Sequence, residues 1–180
     1  MKKVLVVGGT GFIGFHIIKE AKKRKFKVHS ISLHSPKIYR HHKGVKYIQA
    51  DISNFESLKK KLKDNSFDYV INAGGYGEHP DFGYRGIKLV EAHLYGLINL
   101  LHILKKKKIK KFIQIGSSSE YGKIKSPIHE SKKCFPNTPY SIAKISCTNI
   151  LLHHYLNIKF PVTIFRLFQV YGSKQDENRV

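Results

Sequence analysis

A doubly wound α/β fold, with a parallel sheet and helices on both faces, is the class this sequence predicts. Three observations predict it. Short apolar runs alternate with amphipathic stretches along the chain, the pattern of repeated strand–helix units. The connections between successive runs are too long for hairpins, which makes the strands parallel. The first run, Val4-Leu5-Val6-Val7, leads straight into Gly8-Gly9-Thr10-Gly11-Phe12-Ile13-Gly14 and an amphipathic segment.

In chain order, Lys3 to Val7 is the first expected strand. Phe12 to Lys23 follows as a helix with Ile13, Ile17, Ile18 and Ala21 on one face. Lys27 to Leu33 and Val45 to Gln49 are the next two strands. Asn54 to Leu62 is a second helix, capped by Ser53 or Asn54. Tyr69 to Asn72 is the fourth strand, ending in Asn72-Ala73-Gly74-Gly75. A loop with Pro80 and Gly83 then leads to a long helix from about Gly86 to Lys107. Lys111 to Ile115 is the fifth strand, ending in Ser117-Ser118-Ser119. The last elements are a helix from Tyr140 to Leu156 and a strand from Pro161 to Leu167. At 180 residues the chain reads as one domain, residues 1–180.

Charge is the unusual bulk property, with 33 Lys plus Arg against 12 Asp plus Glu and a formal net charge of +21. Scattered lysines on solvated helix faces account for it better than a nucleic-acid footprint, which needs a clustered stripe. The one dense cluster, Lys105 to Lys108 with Lys110 and Lys111, falls where a helix should end, and cations suit that place. Cys134 and Cys147 lack metal or redox spacing, so a reducing, cytoplasmic setting is expected. His41-His42 and His153-His154 show no metal-ligand pattern. No metal site is expected, and no stretch is expected to approach a membrane span.

The chemistry-bearing residues sit at strand ends. A glycine turn between strand and helix brings bare amides to a pyrophosphate at the positive end of the helix. Gly8 permits the sharp turn, Gly11 the approach of phosphate, and Gly14 the close packing of helix on strand. Tyr140 and Lys144 lie four apart on one helix face. A phenol with pKa of about 10 is a poor base at neutral pH. A neighbouring ammonium favours the phenolate and moves that value toward the working range.

Seven segments together carry a family resemblance. They are Gly8 to Gly14, Asp51-Ile52, Asn72-Ala73-Gly74, Gly96-Leu97-Ile98-Asn99-Leu100-Leu101, Ser117-Ser118-Ser119-Glu120-Tyr121-Gly122, Pro139-Tyr140-Ser141-Ile142-Ala143-Lys144 and Arg166-Leu167-Phe168-Gln169-Val170-Tyr171-Gly172. In this order the chain resembles the extended short-chain dehydrogenase/reductase superfamily, in its nucleotide-sugar epimerase, dehydratase and reductase group. The resemblance implies a Rossmann-type domain that binds NAD(P) through Gly8, Thr10, Gly11, Phe12, Ile13, Gly14, Ser32, Asp51, Ile52, Asn72, Ala73 and Gly74, with Tyr140 and Lys144. Tyr140 would be the acid/base at a sugar C4 hydroxyl or carbonyl, and Lys144 would bind the nicotinamide ribose and depress the phenol pKa. Ser117 would hydrogen-bond the same substrate oxygen, or Ser118 if one gap is allowed. Asp51 would accept from the adenine amino group beside Ile52, and Asn99 would tie its helix to neighbouring loops.

Three departures refine this. Ser32 stands where an NAD enzyme carries an acid, with Lys37 and Arg40 nearby, which tilts the balance to NADP over NAD. Ser118 and Ser119 fill the places of the dehydratase Asp-Glu pair, with Glu120 one position late, which favours epimerase or ketoreductase. Gln169 replaces the usual asparagine after the last strand. In the resembling family much of the substrate domain follows the point that Val180 occupies, so the resemblance implies that this chain largely lacks it and that the isolated chain should be poorly active. The competing reading is a dinucleotide-binding regulatory remnant without catalysis. Expected partners are a nucleotide-linked sugar and a second copy paired through two long helices, with no membrane.

Overall fold

The computed structural model describes residues 1–63, 65–76, 80–105 and 107–176. Six strands form one parallel sheet: β1 (Lys3–Val7), β2 (Lys27–Ser32), β3 (Lys46–Gln49), β4 (Tyr69–Asn72), β5 (Lys111–Ser117) and β6 (Val162–Leu167). Their spatial order is β3-β2-β1-β4-β5-β6. Strand order therefore reverses between β1 and β4, the switch point at which open sheets bind ligands beyond their carboxyl ends.

Helices cover both faces, as expected. On one side α1 (Phe12–Lys23) sets Ile18 and Ala21 over Val4, Val6 and Val28. The other side carries α2 (Phe55–Leu62) and a long rod, in which α3 (Tyr84–Val90) passes through a π turn (Glu91–Tyr95) into α4 (Gly96–Leu104). It also carries α5 (Pro139–Ile158). There Leu58, Leu62, Leu97, Leu100, Leu104 and Leu151 pack on Leu5, Val7, Ile31, Val70 and Phe112. Each such side chain contributes about 1.5–3 kcal/mol by leaving water.

Most expected boundaries agree within two residues, and the differences have local causes. α5 begins at Pro139, because the Thr138 hydroxyl accepts from the Ser141 amide at 3.1 Å and proline suits the first helical position. β5 runs on to Ser117, and a short 3-10 turn (Ser118–Tyr121) follows it. The expected uninterrupted helix from Gly86 to Lys107 contains the π turn, which apolar spacing does not reveal.

The expectation about membrane-length stretches needs correction. Tyr84–Leu104 is a continuous 21-residue helix, long and apolar enough to cross a membrane by composition. Its Leu97, Leu100 and Leu104 lie in the core instead, and Asn99 donates to the carbonyls of Ile52 (3.0 Å) and Ser53 (2.8 Å). In the lysine cluster, Lys107 donates to the Leu62 carbonyl at the end of α2 (2.9 Å) and Lys110 pairs with Asp68 at 2.8 Å. Lys106 lies outside the described residues.

Candidate active site

β1 stops at Val7 because Gly8 takes a φ of 75°, a conformation that costs glycine little. A Cβ on Gly8 would stand 2.6 Å from the Ala73 carbonyl, so the ends of β1 and β4 meet backbone to backbone. A Cβ on Gly14 would run into the backbone of Gly8 and Gly9, so α1 sits directly on the turn. Gly11 is different: its Cβ would meet only the Gly8 carbonyl, at 3.3 Å, and this residue lines the crevice. The first turn of α1 holds no acidic residue, so its positive dipole end is not neutralised from within.

Two adjoining cavities of about 570 Å³ and 210 Å³ run along the carboxyl edge of the sheet and share Gly8, Gly11, Ala73, Gly74 and Gly75. A trough floored by glycine backbone beside an open helix N-terminus fits a dinucleotide pyrophosphate. In the smaller arm stand Thr10, Ser32, Asp51 and Ile52. The Ser32 hydroxyl accepts from the Thr10 amide at 3.3 Å and so steadies the turn. Asp51 is oriented by the Ser53 amide and hydroxyl, at 2.8 and 2.7 Å.

The larger arm brings Phe12, Ile13, Gly14, Ser117, Tyr140 and Lys144 together. Two expected residues stand back from it. Asn72 is buried behind the wall, donating to Gln114 at 2.9 Å and accepting from the Gly74 amide at 3.2 Å, so it shapes the Ala73-Gly74 turn. Ser118 lies in the 3-10 turn, and of the two serines it is Ser117 that lines the cavity. The Ser117 hydroxyl is 2.7 Å from that of Ser119.

Lys144 is buried, and its ammonium donates to the Ile115 carbonyl at 2.9 Å while lying 5.5 Å from the centre of the Tyr140 ring. Burial pushes its pKa below the ordinary lysine value. His93, delivered by the π turn, meets Tyr140 edge-on at 5.6 Å. Burial first, then the Lys144 charge, push its pKa down to about 3, so the ring is neutral. Its Nε2 then donates to the Tyr76 carbonyl at 2.9 Å. Cys147 donates to the His93 carbonyl at 3.4 Å, and burial pushes its thiol up to about 12. A phenol, a buried ammonium and a hydroxyl around one cavity suit proton transfer at a substrate oxygen.

Glu120 is fully buried and committed elsewhere. It accepts from the Ser117 amide (2.9 Å), the Thr148 hydroxyl (2.8 Å) and Arg166 (2.8 Å). Among the described residues lining the larger arm, Asp176 is the one carboxylate. Sequence reasoning missed His93, Gly75 and Asp176 as members of this site. His93 was one of eleven histidines without a motif. Gly75, at a φ of 114°, leaves the space that the His93 ring fills.

A parallel sheet in this order, with a glycine turn at its switch point and Tyr140 and Lys144 on the same crevice, defines a dinucleotide-binding α/β domain. Residues 4–180 match the NAD dependent epimerase/dehydratase family, and the chain belongs to it. A UDP-glucuronic acid 4-epimerase from Bacillus cereus, solved in complex with NAD, has a TM-score of 0.85 at 28% identity, over 98% of this chain and 60% of that one. A UDP-N-acetylglucosamine 4-epimerase from Methanobrevibacter ruminantium M1 is 31% identical at a TM-score of 0.86, over 98% and 58%. A dTDP-D-glucose 4,6-dehydratase from Dictyostelium discoideum is 27% identical, over 100% of this chain and 46% of its own length. The chain spans about half the length of the curated relatives it matches.

Proposed function

We propose that this chain is the cofactor-binding and proton-transferring half of an NAD(P)-dependent enzyme acting at C4 of a nucleotide-linked sugar, as an epimerase or ketoreductase. The carrying observation is the convergence of Ser117, Tyr140 and Lys144 on the crevice that the glycine turn floors. With a nicotinamide dinucleotide bound, the chemistry available is hydride exchange with a carbon bearing a hydroxyl. Gly8, Gly11 and the first turn of α1 would hold the phosphates, with Asp51 and Ile52 beside the adenine. Tyr140 would take the proton from the C4 hydroxyl, or return it to the carbonyl, with Ser117 hydrogen-bonded to the same oxygen. Lys144, anchored on the Ile115 carbonyl, would hold positive charge beside the phenol and favour its deprotonated form. The commitment of Glu120 to Arg166 and Thr148 speaks against a dehydratase, which needs a free acid and base next to the hydroxyl residue.

Tyr140→Phe tests the assignment. Turnover on a panel of nucleotide-linked sugars should fall by about 10² to 10⁴, while dinucleotide affinity stays within about twofold, because only one hydroxyl is removed. Retained turnover, or lost dinucleotide binding, would overturn the role. Dinucleotide binding by the wild-type chain without turnover on any sugar would favour the regulatory reading. A cytoplasmic location suits the free thiols of Cys134 and Cys147. Exposed Leu152, Leu156 and Ile158 on α5 support pairing of two copies, which sedimentation would test.

A further inference from the structure

Past β6 the chain crosses back over the amino-terminal half of the sheet. There residues 173–176 reach α1 and a 3-10 turn (Ile38–Arg40) that follows β2. The His16 Nε2 donates to the Ser173 carbonyl at 2.8 Å, and the Arg40 Nε donates to the Lys174 carbonyl at 3.0 Å. Asp176 then engages two cations at once. One carboxylate oxygen accepts from Lys37 at 3.0 Å and from the Tyr39 hydroxyl at 3.4 Å. The other lies 3.1 Å from the Arg40 guanidinium, whose side chain is only 4% exposed. Lys174 adds a third cation, 5.7 Å from the Tyr39 ring that Lys37 and Arg40 also flank.

A carboxylate held by two cations and a phenol occupies the kind of position that a phosphate monoester would take. These cations belong to the segment that follows β2. The segment after β2 is where dinucleotide folds read the adenosine ribose, with an acid for free hydroxyls or a cation for a 2′-phosphate. Here β2 ends in neutral Ser32, whose hydroxyl is bound to Thr10. The nearby cations, which line neither arm of the crevice, are matched by an acid that arrives from the far end of the sheet and lines the larger arm, next to the smaller one in which Ser32 stands. A 2′-phosphate would have to displace Asp176 or sit against a like charge.

We propose that Asp176 is a cofactor-specificity residue: by neutralising Lys37 and Arg40 it sets this chain for a dinucleotide with free ribose hydroxyls and against one bearing a 2′-phosphate. The inference rests on the dinucleotide-binding reading and goes beyond it in naming the residue that selects between the two cofactors. Lys37 and then Arg40 hold the Asp176 carboxyl below its ordinary value, and Asp176 in turn raises that of Lys37.

The test is calorimetric titration of the 180-residue chain with NAD and with NADP, for wild type, Asp176→Asn and the double variant Asp176→Asn with Lys37→Ala. Wild type should prefer NAD. Asp176→Asn should tighten NADP by about tenfold, the scale of one charge-assisted contact, and leave NAD within about twofold. Adding Lys37→Ala, at an exposed side chain that the fold does not need, should cancel the gain. A thermal melt of each variant checks that the chain stays folded. Wild-type preference for NADP, or an Asp176→Asn chain with an unmoved NADP-to-NAD ratio, overturns the inference and leaves dinucleotide binding standing. A fall of both affinities together would mark Asp176 as a structural latch and overturn it equally. Binding of neither dinucleotide by folded wild-type chain would overturn the functional reading and this inference together.

Discussion

The two arms of the crevice are built in different ways. The arm at the β1–α1 turn is made of backbone: Gly8, Gly11 and Gly14 act through side chains they lack, and the helix end supplies the field. The arm at β5 and α5 is made of side chains in a buried setting, with Lys144 and His93 each set against the Tyr140 ring and the Lys144 charge felt at His93. The first arm should therefore fail through added volume, and the second through changes in charge. That difference separates a binding defect from a proton-handling defect.

The largest expected effect is on the backbone arm. In Gly14→Ala the new methyl would meet the backbone of Gly8 and Gly9, where nothing can rotate away. Prising α1 off the turn should cost about 1–3 kcal/mol and weaken dinucleotide binding roughly ten- to hundredfold. An unchanged dissociation constant by calorimetry would break the comparison.

Next in size is an acid effect on the side-chain arm. His93 titrates near 3 in the fold against 6.5 when unfolded, so below about pH 6.5 the unfolded chain takes up a proton that the native chain refuses. Stability due to this ring is fully present above pH 6.5 and is lost on acidification toward 3. Between pH 6.5 and 5, above the carboxylate range, the loss should approach about 1.4 kcal/mol per pH unit at its steepest. Melting curves of His93→Gln, which keeps an N–H for the Tyr76 carbonyl, should show a flatter profile over that interval. A profile as steep as wild type would assign the acid sensitivity elsewhere.

The smallest effect sharpens the picture of the backbone arm. Ser32→Ala removes the acceptor of the Thr10 amide and should cost about 1 kcal/mol, felt as a severalfold loss of NAD affinity with the Tyr140 chemistry untouched. A change in turnover at saturating NAD would show that the two arms are coupled.

Legibility follows the same division. The glycine spacing, the placement of Tyr140 four residues before Lys144, and the strand ends carrying Asp51 and Ser117 are local features, readable because each depends on near neighbours in the chain. Asn72 shows what a strand-end position leaves unread: Gln114 on the adjacent strand takes its amide, a partner 42 residues away. His93 gave no local sign, since its role arises from a π turn that aims it at a helix almost fifty residues further on. Asp176 meets Lys37 from 139 residues away, a distance over which no motif operates.

Alternation of apolar runs and the glycine turn were enough to determine a parallel sheet with a glycine-floored turn at its carboxyl edge, because period and backbone freedom are properties of short segments. Only the tertiary structure decided which serine faces the crevice, where Glu120 spends its charge, and which acid meets the cations after β2. Those outcomes depend on burial and on charges brought together from distant segments, and both exist only once the sheet has closed.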